Sequence, residues 1–128
     1  MDARIGRYVN VVFDCADADR LAEFWIEALD YVPDRAVANF RSIVPRDPTR
    51  GCPKIVFHIV PEPKHGKNRV HIDIKADDVE AEASRLSHLG ATRLTAGKVQ
   101  EHGQEWIVMQ DPEGNEFCVD IWPERFRS

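Results

Sequence analysis

Polar side chains that could take part in chemistry recur at alternate positions of several short apolar segments. They comprise Asn10, Asp14, His58, His71, Asp73, Glu116 and Cys118. Imidazoles, carboxylates and thiolates bind divalent metals, and the same groups hydrogen-bond organic ligands. Trp106 adds an aromatic ring that could stack on a ligand. Strands with one solvent-exposed face would show the same alternation, so a binding site and a plain polar sheet face both stay open.

Composition narrows the class of protein. The chain has 128 residues and a formal net charge of −5, which suits one domain over residues 1–128 and argues against nucleic-acid binding. Its basic residues are scattered, apart from a loose group at Lys64, Lys67 and Arg69. No apolar run is long enough for a membrane span, and the start, Met1 to Arg7, lacks the apolar core of a signal peptide. The 3 cysteines are widely spaced, which favours reduced thiols and a cytoplasmic location.

The elements that must position these side chains begin with a strand, Tyr8 to Asp14, in which apolar and polar residues alternate. A helix follows, capped by Asp17 or Asp19, and we expect its apolar residues to pack in the core. These apolar residues are Leu21, Phe24, Trp25, Ala28 and Leu29. Short strands follow between Tyr31 and Val60, the clearest from Lys54 to Val60.

The same order then starts again after a proline-rich crossover. A strand is predicted from Arg69 to Lys75. It is followed by a helix that has Asp77 and Glu80 as its capping pair and ends at Gly90. Three strands are predicted at about Thr92–Lys98, Gln104–Met109 and Glu116–Ile121, with a tight turn at Asp111–Asn115 between the last two. Residues Asn10–Asp17 align with His71–Asp78. This order predicts two βαβββ modules, at about residues 7–62 and 69–123.

Three segments carry a resemblance to a known family. They are Asp14–Trp25 (DCADADRLAEFW), Val60–Asp73 (VPEPKHGKNRVHID) and Asp111–Phe117 (DPEGNEF). In this order and spacing the chain resembles the vicinal oxygen chelate superfamily of glyoxalases, bleomycin-resistance proteins and extradiol dioxygenases, especially its small bacterial glyoxalase-like branch. The resemblance implies an α+β fold in which two βαβββ modules form a curved mixed sheet around a cup-shaped cavity, with the helices on the outer face.

Alternation assigns the two faces of the strands, and the resemblance places the polar face inside the cup. The apolar residues, which should pack beneath the helices, are Val9, Val11, Phe13, Val70, Ile72, Ile74, Phe117, Val119 and Ile121. The opposite residues, which should line the cup, are Asn10, Val12, Asp14, Val56, His58, His71, Asp73, Glu116, Cys118 and Asp120. For Asp14 and Asp73, bonds to backbone amides or to Arg69 are the alternative to ligand binding.

Metal-dependent members of the superfamily use four ligand positions, which the resemblance carries over to Asn10, His58, His71 and Cys118. Asn10 is a poor ligand for a transition metal, and Cys118 stands where a glutamate is common, with Glu116 two residues earlier. Two histidines with the cysteine would suit zinc, and two histidines with Glu116 would suit Fe(II). Two interpretations therefore stay open: a divalent metal (zinc, nickel, iron or manganese), or a metal-free cup.

The resemblance implies a small-molecule partner and a homodimer with a second copy of the chain. The favoured function is a binding protein that holds an organic ligand without transforming it, and the acidic cup residues suggest a cationic ligand. The alternative is a metal-dependent lyase, isomerase or dioxygenase acting on vicinal oxygens, and a third is an accessory domain without a ligand. Cys118 could be a nucleophile or an inert thiol, and the C-terminal Ile121–Phe126 could pack on its own domain or on a partner.

Overall fold

The computed structural model describes residues 8–123, and the chain divides into two compact units between Pro63 and Lys64. The predictions for residues 1–7, and for residues 124–126 of the C-terminal segment, lie outside the described residues. No helix in residues 8–123 is long and apolar enough to cross a membrane. The three cysteines are all free, as their spacing predicts.

The first unit is a four-stranded sheet with one helix. Its elements are β1 (Val11–Cys15), α1 (Ala18–Leu29), β2 (Tyr31–Val37), β3 (Phe40–Pro45) and β4 (Ile55–Ile59), with a short 3-10 turn at Pro48–Arg50. The strand order is β1-β4-β3-β2. The first strand runs parallel to β4, and the remaining pairs are antiparallel.

Helix α1 covers one face of this sheet. Asp17 is its N-cap, because its side chain accepts a hydrogen bond from the backbone N–H of Arg20 at 3.1 Å. The buried Trp25 packs edge-on against Phe13 of β1, with ring centroids 5.5 Å apart. Phe13 also contacts Phe57 of β4. The predicted helix is confirmed, and of the two proposed caps Asp17 is the one used.

The second unit repeats this plan. Its elements are β5 (Asp73–Ala76), α2 (Val79–Leu89), β6 (Thr92–Arg93), β7 (Val99–Glu101), β8 (Gln104–Gln110) and β9 (Glu116–Ile121). The order is β5-β9-β8-β6, and β7 also pairs with β8. As in the first unit, the first strand is parallel to the last. The predicted α+β class and mixed sheets are confirmed, whereas the cup formed by both modules together stays a prediction.

Two elements of the second unit differ from their predictions. Of the strand predicted at about Thr92–Lys98, only Thr92–Arg93 forms a strand, β6, and a further short strand, β7, follows at Val99–Glu101. The predicted cap at Asp77 is wrong, because Asp78 accepts the hydrogen bond from the N–H of Ala81 at 3.1 Å. Glu80, the predicted second member of that capping pair, instead binds Arg93 at 2.7 Å.

The turn at Asp111–Asn115 is confirmed. The N–H of Gly114 donates to the carbonyl of Asp111 at 2.9 Å, and the Asp111 carboxylate accepts from the N–H groups of Glu113 and Asn115. This buried aspartate therefore satisfies the turn that joins β8 to β9.

The first strand of each unit starts later than its alternation predicts. Pairing with the last strand begins at Val11 opposite Ile55, and at Asp73 opposite Cys118. Val9 and Val70 precede these ladders and are 69% and 84% exposed, so their predicted packing beneath the helices is wrong. The other apolar positions are buried or half-buried.

Candidate functional site

A concave surface of the second unit collects most of the predicted site residues. It encloses about 370 Å³ and is open to solvent. Its lining comprises Lys67, His71, Asp73, Trp106, Val108, Glu116, Phe117, Cys118 and Asp120. The strands β5, β8 and β9 supply most of these side chains, because alternate residues of a strand share one face. Lys67 comes from the segment that precedes β5.

Three different ligand atoms meet on this surface. An imidazole nitrogen of His71, a carboxylate oxygen of Asp73 and the Sγ of Cys118 all lie within 4.8 Å of one another. The parallel register places Asp73 directly opposite Cys118. Nε2 of His71 lies 3.2 Å from Oδ1 of Asp73, so the carboxylate can orient the ring as a hydrogen-bond partner.

The thiol of Cys118 is held in its protonated form. Burial is the main cause, and the nearby carboxylates of Asp73 and Asp120 add to it, so the pKa of Cys118 rises to about 11. The charge of Lys67 acts in the opposite direction but does not cancel the rise. Since the thiolate is the nucleophile, these contacts favour the inert thiol over the nucleophile.

Glu116 is bound to the segment that precedes β5. Its carboxylate binds Nζ of Lys64 at 2.8 Å and accepts from the backbone N–H of Asn68 at 3.1 Å. The Asn68 side chain donates to the Glu116 carbonyl, and Lys64 also donates to the carbonyl of Gly66. The Lys64 contact lowers the pKa of Glu116. This glutamate is therefore an ionised anchor with little capacity to act as a base.

The remaining carboxylate of the lining is also paired. Oδ2 of Asp120 lies 2.7 Å from Nζ of Lys75, and the two residues lie opposite each other on β9 and β5. Together with the Glu116–Lys64 and Asp73–His71 pairs, this accounts for every carboxylate among the described lining residues.

The other predicted site residues belong to the first unit. His58 lies opposite Asp14, with 3.6 Å between Nδ1 and Oδ1. The Phe40 ring stacks on the His58 ring at a centroid distance of 4.3 Å and an interplanar angle of 7°. Asn10 is exposed and precedes β1. Asp14 and His58 thus form a pair within the first unit.

The strand registers show which positions of the two units are equivalent. Asn10 and His71 stand equally far before the capping aspartates, Asp17 and Asp78. Counted in the same way, Val12 corresponds to Asp73, and their partners on the last strands are Val56 and Cys118. His58 therefore corresponds to Asp120, and the first-unit counterpart of Cys118 is Val56.

The sequence pattern missed the basic residues around this surface. Three lysines surround it: Lys64 pairs with Glu116, Lys75 pairs with Asp120, and Lys67 lines the cavity. The positions of Lys64 and Lys67 depend on how the crossover segment folds against β9, which the sequence pattern does not reveal. The only available signal was the loose basic group that contains Lys64 and Lys67.

Two units, each with one helix and a mixed sheet whose first and last strands are parallel, give the chain an α+β fold. Residues 10–120 match the family model described as a glyoxalase-like domain, and the chain belongs to this family. The predicted membership of the glyoxalase, bleomycin-resistance and dioxygenase superfamily is thereby confirmed.

Solved structures with this fold agree. The chain is similar to a glyoxalase/bleomycin resistance protein/dioxygenase family enzyme from Burkholderia phytofirmans, with 17% identity, a TM-score of 0.72, and coverage of 88% of this chain and 95% of that one. It is also similar to the fosfomycin resistance protein FosX of Mesorhizobium loti, with 16% identity, a TM-score of 0.69, and coverage of 94% of this chain and 96% of that one. For FosX of Listeria monocytogenes the identity is 11% and the TM-score 0.73, with coverage of 97% of this chain and 99% of that one. No curated protein sequence matches significantly.

Proposed function

We propose that the concave surface of the second unit binds a small organic ligand without transforming it. The observation that carries this proposal is the pairing of the polar groups around an open cavity of about 370 Å³ beside Trp106. Such a surface offers an aromatic side chain and oriented hydrogen-bonding groups, as ligand sites do. A protonated Cys118 and an anchored Glu116 leave His71 as the main proton-transfer group, which supports binding over catalysis.

A fragment screen by saturation-transfer NMR tests this proposal. We expect saturable binders among small aromatic compounds, and Trp106→Ala should weaken them about tenfold because it removes a stacking face. The control is Trp122→Ala, since Trp122 follows β9 and does not line the cavity. The proposal fails if no compound binds saturably, or if Trp106→Ala and Trp122→Ala have equal effects.

A second candidate function is favoured by the 4.8 Å cluster of His71, Asp73 and Cys118. Nitrogen, oxygen and sulfur donors at this spacing fit zinc, which takes three protein ligands and an open position in catalytic sites. When bound, such a metal would supply Lewis-acid polarisation of a substrate oxygen. His71, Asp73 and Cys118 would hold the metal, and Trp106 would contact the substrate.

Metal analysis separates the two candidates. For the metal-dependent enzyme, protein purified without chelator should hold one equivalent of zinc, nickel, iron or manganese, and His71→Ala should abolish its retention. His88→Ala is the matched control, because His88 lies on α2 and bonds only the Ser84 carbonyl of its own helix among described contacts. Retention by His71→Ala would eliminate this cluster as the metal site.

We further propose that the chain forms a homodimer through the first unit. Several apolar side chains there are exposed in the chain, including Val12 at 57%, Val37 at 52% and Phe40 at 44%. Exposed apolar groups of this kind mark contact surfaces. Light scattering should give twice the 14.6 kDa of one chain, and Val12→Lys should give a single chain mass, whereas Leu94→Lys on the second unit should not. A wild-type mass of one chain would refute the proposal.

A further inference from the structure

Lys67 differs from the other charged residues that line the cavity. Asp73, Glu116 and Asp120 each have a basic partner within 3.2 Å. Among the described residues, Lys67 has no ion-pair partner. Its side chain nevertheless lines the same cavity as Asp73, Glu116 and Asp120. The lining therefore offers a ligand one lysine that has no ion-pair partner among the described residues, whereas Glu116 and Asp120 are paired with lysines and Asp73 lies against His71.

The segment that carries Lys67 is fixed on both sides. Lys64 binds the Glu116 carboxylate at 2.8 Å, and the Asn68 N–H donates to the same carboxylate at 3.1 Å. A second bond joins the Asn68 side chain to the Glu116 carbonyl at 3.3 Å. Because its neighbours are ordered before a ligand arrives, Lys67 loses less conformational entropy on binding than a free loop lysine would.

The rest of the lining determines what the remainder of a ligand would contact. Trp106 and Val108 present apolar surface, and the His71 ring, whose Nε2 lies 3.2 Å from Oδ1 of Asp73, lines the same cavity. An aromatic body with an acidic substituent satisfies both parts of this surface. A cationic ligand, which the number of acidic residues in the sequence suggests, would face carboxylates that already have partners.

We propose that Lys67 selects ligands that carry a carboxylate or a similar anionic oxygen group on an aromatic body. This inference rests on the proposed function, since it names the ligand class of the same surface. Glu116 is a positioning residue in this proposal, because it acts through the segment that carries Lys67. Selection by one charge also requires that the affinity fall as salt screens the pair.

Two matched compound series test the charge preference by NMR titration. Each series contains a carboxylate, an amide and an amine. The first is phenylacetate, phenylacetamide and phenethylamine, and the second is indole-3-acetate, indole-3-acetamide and tryptamine. In at least one series we expect the carboxylate to bind about tenfold more tightly than the amide or the amine, the effect of one charge-assisted hydrogen bond. Lys67→Met should remove this preference, and Lys67→Arg should retain it.

The matched control is Arg69→Met, which removes the same charge from an exposed residue of the same segment that does not line the cavity. It should leave the preference unchanged. Glu116→Gln should weaken carboxylate binding while leaving amide binding unaltered, which a general loss of structure would not do.

The outcomes distinguish the two proposals. If the compounds bind but the amine is preferred, or if Lys67→Met retains the carboxylate preference, the inference about Lys67 is wrong and the binding function stands. If the amides and amines also fail to bind, the binding function fails for aromatic ligands and the inference fails with it.

Discussion

The polar side chains of the concave surface are arranged in pairs. His71 lies against Asp73, Lys64 against Glu116, and Lys75 against Asp120. Each pair lowers the cost of placing a charge beside apolar surface, and each leaves less charge for a ligand. Cys118 lies between two of these carboxylates, so the same arrangement that stabilises the acids suppresses the thiolate.

This suppression predicts slow alkylation of Cys118. In a Cys52→Ser variant, Cys118 is the remaining cysteine that is not buried. With a pKa of about 11, only about one thiol in a thousand is ionised at pH 8. Iodoacetamide labelling, followed by mass spectrometry in the presence of EDTA, should therefore be slow at pH 8 and rise about tenfold per pH unit towards pH 11.

Asp73→Asn provides the internal comparison for this experiment. It removes one of the negative charges that raise the pKa of Cys118, so labelling at pH 8 should become faster than in the parent variant. Rapid labelling of the parent at pH 8, or no acceleration in Asp73→Asn, would contradict the electrostatic account of the thiol.

At the scale of elements, β2 and β3 of the first unit are joined around an irregularity between Pro33 and Arg35. Ser42 fills it: its hydroxyl accepts from the Arg35 N–H at 3.2 Å and donates to Asp34 at 2.8 Å. Lys54 approaches the same carboxylate at 3.0 Å. The bulge is therefore held by a buried hydroxyl and one carboxylate.

Asp34→Asn should make the free energy of unfolding less sensitive to acidic pH. The Lys54 and Ser42 contacts lower the pKa of Asp34 in the folded chain, so its stabilisation is present above the unfolded value of about 4 and is lost as the pH falls through the folded value. Urea unfolding should show a loss of about 1 kcal/mol at pH 7 that shrinks as the pH falls below about 4. Glu62→Gln, an exposed residue, should change little at either pH.

The elements themselves were largely predictable, because α1, α2, β4 and β9 carry clear periodicity between turn residues. The starts of β1 and β5 were not, because a strand begins where a partner is available, and alternation continues past that point. The choice of Asp78 over Asp77 as a cap depends in the same way on backbone geometry, which adjacent aspartates do not distinguish.

At the scale of the whole chain, the duplicated order of elements and the family were predictable, whereas the chemistry of the site was only partly so. Alternation and resemblance identified His71, Asp73 and Cys118, which do meet. They did not identify Lys64 as the partner of Glu116, because Lys64 comes from a crossover without periodicity. Nor did they show that Val56, two residues before His58, is the counterpart of Cys118.

The repeated register provides a test of whether backbone position or side-chain type limits metal binding. The first-unit positions equivalent to His71, Asp73 and Cys118 hold Asn10, Val12 and Val56, which lack a suitable set of ligands. If the second unit binds zinc, the triple variant Asn10→His, Val12→Asp, Val56→Cys should bind one further ion per chain in equilibrium dialysis. All three positions are exposed or half-buried, so the substitutions should cost little stability.

The double variant without Val56→Cys is the control and should gain no ion. An unchanged capacity in the folded triple variant, alongside zinc bound by the second unit, would show that the two registers do not build equivalent sites.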